Sequence, residues 1–178
     1  MSKSSLKKEL SVFSKDQLLE LVLELYDSRK ETKEYLEFFL NPNSKALYEK
    51  HRIALEKEMK RTKYSRSRAR ISKIKSLIKN FESFSPDIDY RFQLYRDVFQ
   101  LFLYFERYYI FTDSFKNGIT FLFEKYLTLA ESNLQLDREI AEIQKIISIK
   151  DVGHEYIKNL YDSMIREYLN QSRSNLRN

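Results

Sequence analysis

Two glycines, Gly118 and Gly153, and two prolines, Pro42 and Pro86, are all the backbone punctuation that 178 residues carry. Runs of alternating apolar and polar residues bounded by glycine turns, the mark of hairpins and sheets, are missing. Apolar side chains instead recur every three or four positions, the spacing of one helix face. With 42% apolar and 33% charged residues the chain has the composition of a folded protein, too rich in core formers for a disordered one. An all-α fold follows, built from about nine helices in antiparallel hairpins, arranged as a bundle or as a short α-superhelical stack.

The helices can be placed from their apolar positions and their stops. Leu6, Leu10 and Phe13 mark a short first helix, after which Ser14 and Gln17 have the spacing of a capping box. Leu18, Leu21, Val22 and Leu25 form the stripe of the second helix, while Asp16, Glu20, Glu24 and Asp27 run along it as a separate acidic stripe. Tyr35, Leu36, Phe39 and Leu40 belong to a third, closed by Asn41-Pro42-Asn43. A weakly patterned fourth starts at Ser44. The fifth is expected over Ser65 to Phe81, with Ile71, Ile74, Ile78 and Phe81 as its seam. Ser85-Pro86 reads as a cap and first helical position opening the aromatic segment, where fourteen Phe and Tyr fall between Tyr90 and Tyr126. That segment is the core candidate, with Asp87 to Phe111 central, Asp113 to Ala130 folding back, and Gly118 permitting close approach. Leu136 to Ile147 and Tyr156 to Tyr168 pattern two last helices separated by Gly153. The expected organisation is one helical domain over 1–178: N-terminal helices at 1–42, a basic helical hairpin at 43–84, an aromatic core at 85–170 and a polar tail at 171–178.

The net charge of +6 is concentrated. Between Lys57 and Lys79 ten basic residues face one acid, Glu58, so this stretch carries +9 and the remainder −3. On a helix, Arg66, Arg70 and Lys73 would border one side of the isoleucine seam and Arg68, Lys75 and Lys79 the other, their stems covering the seam and their heads in water. Together with Lys63 these residues are the candidate binding surface. They offer phosphate contacts to a nucleic acid or counter-charges to an acidic protein surface.

The segments LKKEL (6–10), KEYLEFFLNP (33–42) and RARISKIKSLIKNF (68–81) resemble a bacterial family of uncharacterised helical proteins, known only as a domain of unknown function. The resemblance implies a small all-helical cytoplasmic protein and brings no catalytic residues with it.

Catalytic signals are weak. His51 and His154 stand in no metal or triad spacing, and His154-Glu155 is followed by Lys158 where a zincin would need its second histidine. Asp87, Asp89 and Asp113 sit at helix starts, where carboxylates satisfy free amides. No glycine-rich phosphate loop can be written, and no cofactor or metal is expected. The absence of cysteine agrees with a reducing, cytoplasmic setting. The start of the chain has no signal-peptide pattern, and the longest uncharged apolar run, Val98 to Phe105, is too short to span a bilayer. The expectation is a non-enzymatic helical interaction or scaffold protein, binding a protein partner or a second copy of itself. The alternative is nucleic-acid binding through Ser65 to Phe81.

Overall fold

A computed structural model describes residues 1–149 and 152–175. Its elements are α1 (Lys3–Leu10), α2 (Lys15–Ser28), α3 (Lys30–Leu40), α4 (Ser44–Met59), β1 (Thr62–Lys63), β2 (Arg66–Ser67), α5 (Ile71–Ser83), α6 (Ile88–Glu106), α7 (Asp113–Ser132), α8 (Leu136–Ser148) and α9 (Glu155–Asn175). The fold is all-α apart from one two-stranded hairpin. The chain forms two compact units, Met1–Asn43 and Ser44–Asn178.

In the first unit the Ser14 hydroxyl accepts from Gln17 N at 3.2 Å and the Gln17 side chain accepts from Ser14 N at 2.8 Å, so α2 starts with the capping box read from the sequence. Helix α3 packs on α2 and ends at Leu40, before Asn41-Pro42. No residue of α1, α2 or α3 is buried.

In the second unit the main contacts of each helix run to the next and next-but-one helix along the chain. The core lies between α6 and α7. Phe99 is fully enclosed, with its ring 5.1 Å from Phe123, 5.5 Å from Tyr126 and 5.9 Å from Tyr161, all edge-on. Edge-to-face rings add to the roughly 1.5–3 kcal/mol that burying each large apolar side chain contributes. Gly118 on α7 lets α5 approach: a Cβ there would lie 2.1 Å from Ile71 Cγ1. Gly153, at φ 69°, turns the chain into α9 against Leu103. A buried carboxylate lies beside this core. The fully buried Glu139 carboxylate is paired with Arg96 and accepts from the Tyr126 hydroxyl at 2.7 Å.

Several sequence expectations need correction. The fifth helix does not begin at Ser65. Residues 62–67 form a hairpin, and α5 starts at Ile71. The reason is a partner distant in sequence: Ser67 N donates to Ile110 O at 3.0 Å and Ile110 N donates to Ser65 O at 2.9 Å, so an extended backbone is satisfied where a helix would leave Ile110 unpaired. The central helix correspondingly stops at Glu106, and Tyr108 to Phe111 run outside it. Ser85 is not a cap. It lies at φ 52°, and α6 has Asp87 at its N-cap with no side-chain cap bond; the Asp87 amide itself donates to Ser44 Oγ of α4 at 3.1 Å. The α7 cap is Thr112, whose hydroxyl accepts from Phe115 N, and Asp113 follows in the first turn. Phe121 is half-exposed and not part of the core. Residues 171–175, expected as tail, continue α9, and residues 176–178 lie outside the described residues.

Candidate functional site

The seven basic residues singled out in the sequence divide into three groups. Lys63, Arg66 and Arg68 belong to the hairpin, where β1 pairs with β2 in the register Thr62 to Ser67 and Lys63 to Arg66. Arg70 stands at the N-cap position of α5 in an extended conformation. Lys73, Lys75 and Lys79 alone lie on α5, beside the seam of which Ile74, Ile78 and Phe81 are buried and Ile71 is half-buried. The arrangement of cations bracketing an apolar seam therefore holds for the last group only.

Glu58, the single acid of the basic run, organises the base of the hairpin. It projects from the end of α4 and is almost fully buried. Its Oε1 accepts from Arg61 Nη1, Arg70 Nε and Arg70 N, each at 2.9 Å, and Oε2 accepts from Arg70 Nη2 at 3.0 Å. The Arg70 guanidinium, with Arg61 beside it and against the opposing effect of burial, holds the carboxyl down at about 2. Arg70 is thus committed to structure, and Glu58 supplies from another helix a bond that no local side chain gives the start of α5. Arg68 N donates to Arg61 O at 2.6 Å and closes the hairpin. Lys75 lies over the Phe121 ring at 4.2 Å. Lys63, Arg66, Arg68, Lys73 and Lys79 form no ion pair among the described residues.

At the tip, Tyr64 and Ser65 make the turn. Tyr64 has φ 56°, the left-handed region that bulky side chains avoid, and is 89% exposed. The hairpin is joined to the strand-like stretch around Ile110, so Ser65 lies on the wall of a cleft of about 280 Å³ completed by Glu106, Arg107, Tyr108, Tyr109, Lys116, His154 and Tyr156. Inside it a chain of bonds is closed. The buried Glu106 accepts from His154 Nδ1 at 2.7 Å and His154 N at 3.2 Å through Oε2, and from the Tyr156 hydroxyl at 2.7 Å through Oε1. Lys116 Nζ donates to the Tyr156 oxygen at 2.9 Å, which raises the lysine pKa and keeps it charged. Burial alone would lift the Glu106 carboxyl, but the bonds from Tyr156 and His154 bring it below its ordinary value. The histidine thus stands bonded just ahead of α9.

A second cleft, about 320 Å³, is lined by Arg52, Glu56, Asp97, Gln100, Leu101, Tyr104 and Val152. Its charged groups are engaged. Asp97, raised by burial, accepts from Tyr48 at 2.6 Å and Gln93 at 3.2 Å, and Arg52 pairs with Glu49. Among the described residues there is no group of three or more His, Cys, Asp or Glu placed to hold a metal ion, and no helix long and apolar enough to cross a membrane.

Sequence reasoning missed Tyr64, Arg107, Lys116 and Tyr156. Tyr64 had a signal, a large aromatic inside the basic run. Lys116 had none, because its place depends on the packing of α7 beside α9.

Residues 1–145 match the model of a family of unknown function, DUF6155. The chain belongs to this family. Membership in DUF6155 agrees with the resemblance read from the N-terminal and basic segments, which lie inside the matched stretch together with the hairpin, Arg107 and Lys116. His154 and Tyr156 lie beyond it. No curated protein and no solved structure matches the chain.

Proposed function

We propose that this DUF6155 protein is a non-enzymatic interaction protein that assembles with a second copy of itself through its N-terminal unit. The observation that carries the reading is that three amphipathic helices, Lys3–Leu10, Lys15–Ser28 and Lys30–Leu40, contain no buried residue. At 100° per residue, the apolar positions of α2 from Leu18 to Tyr26 cover an arc of about 200°. That is more than one neighbour, α3, covers. Leu19, Val22, Leu23 and Leu25 stay exposed, as do Phe39 and Leu40 at the end of α3. A segment of this size without a disulfide has too little interior to be stable alone.

The character of the surface favours a permanent partner over a transient one. Obligate interfaces are aliphatic and resemble a core cut in half, whereas transient ones are as polar as ordinary surface. The one protein always present when the chain is made is another copy. Charge supports that choice: Lys3, Lys7 and Lys8 of α1 complement Asp16, Glu20, Glu24 and Asp27 of α2. A two-fold pairing would satisfy both strips of both copies at once.

Sedimentation of the full chain over a range of micromolar concentrations tests this. A dimer is expected, and Leu19→Asp with Leu23→Asp, both at exposed positions, should give a monomer with unchanged helical circular dichroism. A parent protein that stays monomeric at the highest concentration refutes it, as does a dimer that the double variant leaves intact.

A further inference from the structure

We propose that the basic hairpin and the tyrosine-lined cleft beside it bind single-stranded nucleic acid. Bases stack on Tyr64 and Tyr108, and phosphates meet Lys63, Arg66, Arg68, Arg107 and Lys116. This surface lies wholly in the second unit and is independent of the self-association above.

Three observations converge on it. The first is that the hairpin tip is built against local stability. Lys63 and Arg66 are direct cross-strand partners, a like-charge pair that weakens a two-residue ladder, and Tyr64 occupies a left-handed turn position that favours glycine. Both costs are recovered when an anion lies between the cations and a flat ring covers the tyrosine. The Lys63 ammonium lies over the Tyr64 ring, 5.7 Å from its centre.

Second, the hairpin itself carries positive charge without local cancellation. The carboxylates at the adjoining end of α4 are held by cations, Glu56 by Lys60 and Glu58 by Arg61 and Arg70, while Glu106 keeps its charge and with Asp113 faces Lys116 in the cleft. The charges of Lys63, Arg66 and Arg68 remain unpaired, and Lys116 is bonded to a neutral hydroxyl. Cations interleaved with exposed aromatic rings are what a flexible strand of stacked bases requires.

Third, the surface is held ready. Glu58 clamps the base of the hairpin, and two backbone bonds tie its second strand to Ile110, next to Tyr108, which is 58% exposed. Little ordering entropy is then lost on binding. The shape selects single strands over duplex, because a hairpin of two-residue strands is too short to fill a major groove, and stacking on Tyr64 needs unpaired bases. An acidic protein would satisfy the cations but would leave the strained tyrosine without a role.

Fluorescence anisotropy on the full chain decides the matter, using labelled twelve-nucleotide oligo-U and oligo-dT, a duplex of the same length, and polyglutamate. Either single strand should bind at 50 mM salt, and a preference between the two names RNA or DNA as the source of the strand. With five phosphate contacts, affinity should fall about a hundredfold between 50 and 200 mM salt. Tyr64→Gly is the discriminating variant: it removes the ring and relieves the turn, so single-strand affinity should drop roughly five- to 150-fold while the melting temperature stays equal or rises. Tyr64→Phe should bind like the parent, and Arg66→Glu with Arg68→Glu should abolish binding. The proposal is overturned by no binding at 50 mM salt, by duplex or polyglutamate binding as well as the single strands do, or by Tyr64→Gly leaving affinity unchanged.

Discussion

Replacing Glu58 with glutamine tests whether one carboxylate fixes the base of the hairpin. In the folded protein this group lies at about 2 in place of its ordinary 4.5, chiefly through the Arg70 guanidinium. At about 1.36 kcal/mol per pKa unit, that difference sets a ceiling of about 3 kcal/mol on what ionised Glu58 contributes. The carboxylate is 7% exposed but its partners Arg61 and Arg70 are 43% and 58% exposed, so solvent screening reduces the expectation to about 1–2 kcal/mol. The sign follows from the direction of the shift. A carboxyl with a depressed folded-state pKa stabilises fully above its unfolded value and loses that contribution as pH falls toward the folded one. Glu58→Gln should therefore be less stable than the parent by about 1–2 kcal/mol at pH 7, and the gap should close between pH 4.5 and about 2. Urea denaturation of both proteins over that range, followed by circular dichroism, measures it. A gap that does not change with pH, or no gap at pH 7, would show that the carboxylate's charge is not what secures the hairpin.

Gly118→Ala should destabilise the protein by about 1–3 kcal/mol despite alanine's better helix propensity, because its methyl would meet Ile71 Cγ1 at 2.1 Å and Cδ1 at 2.8 Å. Adding Ile71→Ala should recover much of that loss relative to Ile71→Ala alone, as a denaturation double-mutant cycle would reveal. Arg96→Met should cost up to about 3–5 kcal/mol by removing the nearer counter-ion of the buried Glu139 carboxylate, which then keeps Arg138 at 3.6 Å. Combined with Glu139→Leu it should cost clearly less than the two single changes added, read from urea midpoints at constant slope.

What could be read from the sequence was what is decided within a few residues. The Ser14 capping box needs only Gln17, and the seam of Ile74, Ile78 and Phe81 needs only helical spacing, so both stand in the structure as expected. The errors occur where a backbone group finds its partner far along the chain. The stretch from Ser65 to Arg70 has helical spacing on paper, but Ile110 satisfies it as a strand across more than forty positions. Ser85-Pro86 has the composition of a helix start, but Ser44 provides the bond that α6 uses. The candidate site suffered most from this. Two of its seven basic residues, Arg66 and Arg68, left the expected helix for the hairpin, Arg70 became a structural ion pair, and Tyr108, Tyr156 and Lys116, which complete the surface, come from elements brought together only by tertiary packing.

Helix α4 contributes a side chain to the beginning of each of the two helices that follow it: Glu58 at α5 and Ser44 at α6. Each of those helices closes its first turn through its own backbone, but the amide of its cap residue, Arg70 or Asp87, bonds to α4. In the native state, any opening that lifts α4 away should expose the leading amides of α5 and α6 to exchange as one cooperative unit.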